Sequence, residues 1–438
     1  MIFLCFILLV LLIFAYFINK KELVAPGVIF ASSFFIASLF ALANVKKWSL
    51  DLDYRTFLVI VLGVLEFISI SGVINLLQPI NYKISRSNDI IEDDVLVVNK
   101  KRTFIYILIF IELFNIWMMI KYIKSASGLS NLSMALNYLR EESFLENSSV
   151  TKMPWLTAFG SNFNMSVGLF FEYILAQSFF NKKIFSWPIV IVTALGILTP
   201  FLNSSRGVSI FLIISFLIDI YFASVKYKVN TRHSNWKYII VVIIIGIIVL
   251  SLLQWSASLL GRNVENFTPF DYVSNYIGAQ IKNLDIFIRT IDFPVKEDIF
   301  GKQTFYATLP TLSKILGLNI GAYKLDLPFQ VINGNSLGNV YTTFYPWLYD
   351  FGYIGVVILT GVMAIISQLI FNIARIKRKV SLSLSQIIYS YIGSFIALSF
   401  FSNKFFESIN TNFIYTVLIC YLLKVLYVNK YKFLTEKY

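Results

Sequence analysis

Long apolar runs broken by short polar turns recur along the whole chain. A helix needs about 20 apolar residues, roughly 17 at the least, to cross a hydrocarbon layer. On that rule helices are predicted at residues 2–18, 23–43, 56–77, 103–120, 155–180, 184–202, 207–225, 238–260, 349–374, 381–401 and 409–428. The predicted fold class is therefore all-α: a polytopic integral membrane protein of about 11 transmembrane helices, forming a single domain over residues 1–438. No basic residue precedes the first run. It lacks the positive flank of a secretory signal peptide and reads as a true span with an outside N-terminus.

Lysines and arginines set the orientation. One set of alternate turns holds Lys20 and Lys21; Lys83, Arg86, Lys100, Lys101 and Arg102; Lys182 and Lys183; Lys226, Lys228, Arg232 and Lys237; and Arg375, Lys377, Arg378 and Lys379. Lys430, Lys432 and Lys437 add to it from the C-terminal tail. Positive turns stay on the cytoplasmic side. Two large loops, residues 121–154 and 261–348, are then external and the C-terminus cytoplasmic.

Both loops carry helical spacing. In the first, Leu129, Leu132, Leu136 and Leu139 share a face, with Ser130 or Asn131 placed to cap it and Arg140 on the flank. In the second, Ile277, Ile281, Leu284, Ile288 and Ile291 advance by four and three, while Lys282, Asp285 and Arg289 share the other face. Such an amphipathic helix lies on the bilayer surface or roofs the bundle. The rest of that loop, with Pro294, Pro310, Pro328, Gly334 and Gly338, reads as irregular.

Composition agrees with the pattern. Of 438 residues 57% are hydrophobic and 14% charged, with a mean hydropathy of +0.73, too little polar surface for a soluble chain of this length. The net charge of +13 sits mostly in turns between spans. It is accounted for by topology and lipid headgroups, and nucleic acid is not a predicted partner. Cys5 and Cys420 lie within apolar runs and form no metal spacing.

Few residues carry chemistry. Arg140, Arg206 and Arg262 all fall on the predicted external side. A guanidinium is a permanent charge with a planar fork of donors suited to phosphate oxygens. Arg206 stands in Asn203-Ser204-Ser205-Arg206-Gly207, where caps and a helix N-terminus favour an anion. Each of the three also fits a plain role as a headgroup anchor or solvated helix face. Arg289 follows Asp285 by four residues, an ordinary helical pair. Glu66, Glu112, Glu172 and Asp219 fall inside predicted spans, where an acid serves ion coupling, carries a proton or bonds a neighbouring helix. Asp51-Leu52-Asp53 has the form of a metal-holding pair, yet with Lys46, Lys47 and Arg55 beside it a solvated loop is favoured. His233, the one histidine, lies in a cytoplasmic turn; no metal or cofactor site is predicted.

Three segments carry a family resemblance: Tyr138-Leu139-Arg140-Glu141-Glu142, Asn203-Ser204-Ser205-Arg206-Gly207, and Gly338-Asn339-Val340-Tyr341 leading to Tyr349-Asp350-Phe351-Gly352. With the span count and the dominant late loop, they make the chain resemble the Wzy family of oligosaccharide repeat-unit polymerases, which build O-antigen and capsule. The resemblance implies a GT-C-like glycosyltransferase in a bacterial cytoplasmic membrane. Its substrates would be undecaprenyl-diphosphate-linked oligosaccharides, and its partners membrane lipids, a chain-length regulator and a flippase. Arg206, Arg140, Glu141 and Asp350 would then be catalytic, the arginines stabilising the lipid diphosphate without a metal. Glu142 and Asp271 are further candidates for the base by side of membrane. Arg262, Arg289, Asn339, Tyr341 and Tyr345 would bind substrate, with Trp347 and Tyr349 as further aromatic rings for sugars. The paired Arg-x10-Gly spacing of some members is absent, and the lack of an external histidine argues against a ligase. A flippase or transporter for the same lipid-linked unit is the alternative.

Overall fold

The computed structural model describes residues 1–77, 102–142, 153–181, 185–203, 206–227, 238–240, 242, 244, 246, 268–295, 300–317, 327–376 and 382–428. The helices follow the apolar runs. They are α1 (Ile2–Ile18), α2 (Pro26–Ala43), α3 (Tyr54–Leu77), α4 (Arg102–Ser127), α5 (Leu132–Glu142), α6 (Trp155–Ser178), α7 (Trp187–Leu198) and α8 (Arg206–Lys226). A single 3-10 turn, Thr199–Asn203, extends α7. The chain continues with α9 (Pro269–Ile277), α10 (Ala279–Thr290), α11 (Leu309–Leu316), the antiparallel hairpin β1 (Gln330–Ile332) and β2 (Asn335–Gly338), α12 (Phe344–Ile376), α13 (Leu384–Ala397), α14 (Lys404–Ser408) and α15 (Thr411–Val428).

Five of these, α2, α3, α4, α8 and α12, are long and apolar enough to cross a membrane. Helices α1, α7, α13 and α15 are apolar and shorter. The chain is thus a helical, membrane-embedded protein. The run at 238–260 lies largely outside the described residues.

The chain divides into two compact units. The first comprises Met1–Asn81, Thr268–Ile373 and Ile392–Phe413; the second comprises Tyr82–Phe267, Ala374–Tyr391 and Ile414–Tyr438. In the first unit α1, α2 and α3 pack together around aromatic rings. Phe30 stacks on Phe67 with centroids 4.3 Å apart, and Phe34 meets Phe344 at 5.2 Å. The segment after residue 268 closes one end of this unit. What reads as one amphipathic helix is two, broken at Gly278, where an added Cβ would stand 2.7 Å from the Ala41 amide nitrogen. The missing side chain lets α9 and α10 sit against the end of α2. Both faces of α10 are covered: Ile281, Leu284, Phe287 and Ile288 are buried, and so are Gln280, Lys282, Asn283 and Asp285. It is a roof inside the unit and not a helix on a lipid surface.

The stretch expected to be irregular contains the hairpin. Asn333 and Gly334 both have positive φ, 50° and 73°. That is the two-residue turn which Asn-Gly favours, because its twist matches the strands it joins. The last long helix begins at Phe344, five residues before the predicted start at 349, and kinks at Gly352 (φ 64°, ψ −155°).

In the second unit α6 is the central helix, buried without interruption from Asn164 to Tyr173 and beyond. Helices α4, α7 and α8 pack around it. It crosses α7 where Gly168 meets Gly196: a Cβ on Gly196 would fall 2.4 Å from the Gly168 Cα and 2.8 Å from the Asn164 carbonyl oxygen. Small residues are what let two membrane helices approach this closely. Polar bonds add to the packing. The Tyr173 hydroxyl donates to Gln386 Oε1 at 2.8 Å, and the Ser166 hydroxyl is 3.2 Å from Thr416 Oγ1.

Gly196→Ala should therefore force the two backbones apart and cost about 1–3 kcal/mol, the usual penalty of overpacking. Gly207→Ala, where the added methyl meets nothing within 4 Å, is the matched control and should be neutral or stabilising. Thermal unfolding of both variants in the same detergent reads the difference.

Candidate functional site at the start of α8

Two of the segments singled out by sequence meet within the second unit. α4 ends in a turn through Gly128 (φ 69°), and the chain doubles back as α5. Asn131 starts that helix: its Oδ1 accepts from the Ser133 amide at 2.9 Å and the Met134 amide at 3.2 Å. Leu136 and Ala135 bury against Met119 and Ile123 of α4. Leu132, Leu139, Met153 and, from the turn before Arg206, Leu202 pack on the same cluster. Arg140 follows Leu139 directly, and Arg206 opens α8 four residues after Leu202. One apolar cluster thus brings α5 and the start of α8 to the same end of this unit.

Side-chain amides pin the turn further. Asn164 Nδ2 donates to the Glu112 carbonyl at 3.0 Å and to Thr199 Oγ1 at 3.2 Å, while its Oδ1 accepts from Asn115 Nδ2 at 2.8 Å. Asn203 Nδ2 donates to Ser161 Oγ at 2.8 Å. The first amides of α8 carry the positive end of its dipole. Among the described residues nothing lies within 4 Å of a Cβ built on Gly207. For Arg206 the described part is the backbone, and Arg262 lies outside the described residues.

Arg140 is half-buried. Its Nη2 donates to Asn137 Oδ1 at 3.0 Å and stands 3.9 Å from Glu141 Oε1. Glu141 accepts from Asn137 Nδ2 at 3.0 Å and is otherwise 63% exposed. Arg140 and Glu141 are held by one short side-chain chain on the α5 surface. Glu142 ends the helix.

The other predicted site residues belong to the first unit and surround α10. Asp285 is fully buried and accepts from the Asp53 amide at 2.8 Å and the Thr56 hydroxyl at 3.0 Å. Arg289 Nε pairs with its second oxygen at 3.1 Å, and Arg289 also donates to the Asp51 carbonyl. Lys282 Nζ donates to the Ser49 carbonyl at 3.0 Å, and Asn283 to the Val340 carbonyl at 2.8 Å. The Arg55 guanidinium holds the Asp53 carboxyl below the usual aspartate range, and Lys47, 2.6 Å away, does the same for Asp271. Burial pushes the Lys282 ammonium down. Three carboxylates, Asp51, Asp53 and Asp285, balance Arg55, Lys282 and Arg289. The network fastens α10 to the turn between α2 and α3.

Asp350 accepts from the Gln303 amide at 3.2 Å and the Thr304 amide at 2.6 Å, one on each oxygen. It organises the backbone before α11. Tyr341 and Tyr345 stack on each other at 4.3 Å, both buried, and the Tyr341 hydroxyl donates to the Pro328 carbonyl at 3.0 Å. Trp347 is buried with its Nε1 on Asn403 Oδ1 at 3.2 Å. These rings form a core beneath the hairpin. Asn339 is half-buried in the bend after β2. Sequence reading missed Asp285 as an anchor and Asn164 as the centre of its ladder. The signal for the first was present in three charged residues on one face of a helix whose other face is apolar.

Comparison with family models, with curated proteins and with solved structures finds no match to this chain.

Removing Asp285 strands the Asp53 amide, the Thr56 hydroxyl and Arg289 together. Asp285→Ala should cost about 1–3 kcal/mol at neutral pH, the range for a buried group left without its partner. Limited proteolysis should then cut in the 44–55 turn, which stays protected in the unmutated protein. Acid acts differently. The depressed carboxyls of Asp53 and Asp271 contribute stability that is complete above the ordinary value of 3.8 and is lost as pH falls through their lower folded values. The same turn should therefore become cleavable in the unmutated protein only below pH 3.8.

Proposed function

We propose that this protein is a membrane-embedded glycosyltransferase, a repeat-unit polymerase that joins undecaprenyl-diphosphate-linked oligosaccharides at the outer face of a bacterial cytoplasmic membrane. On this reading eleven spans put α5, the start of α8 and the segment 261–348 outside. The observation that carries it is the shared apolar cluster of Leu136, Leu139 and Leu202, which holds the Arg140 helix and the Arg206 turn at one end of one unit.

In the reaction the glycosidic bond between the growing glycan and the lipid diphosphate breaks. A new bond forms to a hydroxyl oxygen of the incoming repeat unit, whose proton passes to a carboxylate. Negative charge builds on the departing diphosphate. A helix N-terminus and fixed guanidinium groups beside it stabilise that charge with no rearrangement at the moment of reaction. Arg140 and Arg206 take that role, with Arg262 assigned to the same diphosphate. Glu141 is favoured over Asp350 as the base, since it is exposed beside Arg140 while both Asp350 oxygens already hold backbone amides. The resemblance also assigns Arg289, Asn339, Tyr341 and Tyr345, all of the first unit, to substrate binding. The reaction calls on no cofactor, and a chain-length regulator and a flippase are the expected partners.

The alternative, a flippase for the same lipid-linked unit, also needs an anion site, and one experiment separates the two. Arg206→Ala should abolish long surface glycan while single repeat units still reach the outer face. Arg206→Lys should restore little, since it keeps the charge and loses the two-pronged geometry. The size ladder of surface glycan is read beside the sidedness of lipid-linked units, at matched membrane abundance. Units trapped on the cytoplasmic face would make this protein the flippase.

A further inference from the structure

The polar groups that the proposed reaction leaves unused include two acids deep in the second unit. Glu172 on α6 and Asp219 on α8 are 0% and 1% exposed. Neither acid forms an ion pair among the described residues, and the polar groups set against them are the hydroxyls of Ser215 and Ser390. Each lies close enough to the other to feel its charge.

Among the described residues the surroundings supply hydroxyls placed against the acids, and no cation. Ser215 stands beside Glu172, and Ser390 beside Asp219. The Ser215 hydroxyl donates to Ser390 at 3.0 Å, and Ser390 donates onward to the Ile387 carbonyl at 3.0 Å. Three further titratable groups face the pair. Tyr391 feels Glu172, Tyr238 feels Asp219, and Cys420 feels both. Their protons point elsewhere: the Tyr391 hydroxyl to Met165 Sδ at 3.7 Å, the Tyr238 hydroxyl to the Leu217 carbonyl at 3.0 Å, and Cys420 Sγ to the Ser166 carbonyl at 3.6 Å.

Two adjacent buried carboxylates cannot both remain bare anions, because desolvating even one such charge costs several kcal/mol. Something positive must reside there. The two serine oxygens are already in direct contact with each other, which favours the smallest cation.

We propose that Glu172 and Asp219 form an intramembrane proton-binding site, in which the pair of buried carboxyls holds at least one proton between them. The proton is taken up from water and returned to it, and no other bond forms or breaks. The site lies about 20 Å further along α8 than Arg206, at roughly 1.5 Å per residue. It stands independently of the polymerase reading. It would let the second unit exchange a proton within its core whatever reaction occurs at the start of α8.

Infrared difference spectroscopy on the full-length protein in lipid nanodiscs tests this. The spectrum of Glu172→Gln/Asp219→Asn is subtracted from that of the unmutated protein. The expected result is a missing carbonyl band of a protonated carboxyl that shifts in D2O and, in the unmutated protein, fades as pH is raised. If the double variant does not fold, the single variants Glu172→Gln and Asp219→Asn and the pH series on the unmutated protein give the same readout. Only ionised-carboxylate bands in the difference at neutral pH would overturn the proposal. So would loss of the protonated band on adding sodium at fixed pH, which would make this a sodium site.

Discussion

A polar group inside a bilayer can bond only to protein, and the whole arrangement answers to that constraint. Helices satisfy their own backbones. Side chains then have to be satisfied across helices, and the described residues do this with a few concentrated devices. Asn164 ties α4, α6 and the turn after α7 together through three hydrogen bonds. Asp285 draws in donors from the chain before α3, from α3 itself and from its own helix. Where α6 and α7 cross most closely, at Gly168 and Gly196, the side chains have been reduced to hydrogen. The buried carboxyls of Glu112, Glu172 and Asp219 depart from the pattern, and of these Glu172 and Asp219 lie near enough to feel one another.

The same devices hold the turn before α8. Arg206 lies on a turn that the sequence alone leaves free to be a simple headgroup anchor. The structure ties the neighbouring residues on three sides: Leu202 into the α5 cluster, Asn203 to Ser161, and Thr199 to Asn164. On the proposed reading, a helix start fixed in this way would serve as a preorganised anion site, whereas a loose turn would have to be ordered by its ligand. In the first unit the turns at 44–53, the segment after 268 and the residues around Asn403 meet at one end. The alternation of basic turns read from the sequence also expects all three on one side of the membrane.

Much of this is legible in the sequence because lipid leaves helices little choice. The bounds of α1 match the apolar run to the residue, and Asn131 is one of the two caps that the spacing offers for α5. The break at Gly278 is not legible, since its cause is the backbone of Ala41 more than two hundred residues away. The hairpin carries its signal in Asn333-Gly334 but lies among prolines and glycines that read as loop. Tyr341 and Tyr345, which the sequence offers either as rings for sugar or as part of an interfacial aromatic belt, are buried and stack on each other. Asp350 sits in a segment that resembles the polymerases, and its carboxylate is engaged with two amides.

The central claim is that the start of α8 is a site for a lipid diphosphate. Binding of undecaprenyl diphosphate to the purified protein in nanodiscs, measured for the unmutated chain, Arg206→Ala and Arg140→Ala, tests it most directly. Saturable binding that weakens by roughly tenfold or more in each variant is the predicted result, the equivalent of one charge-assisted contact. Binding of equal strength in all three proteins, or none in the unmutated one, would contradict the account.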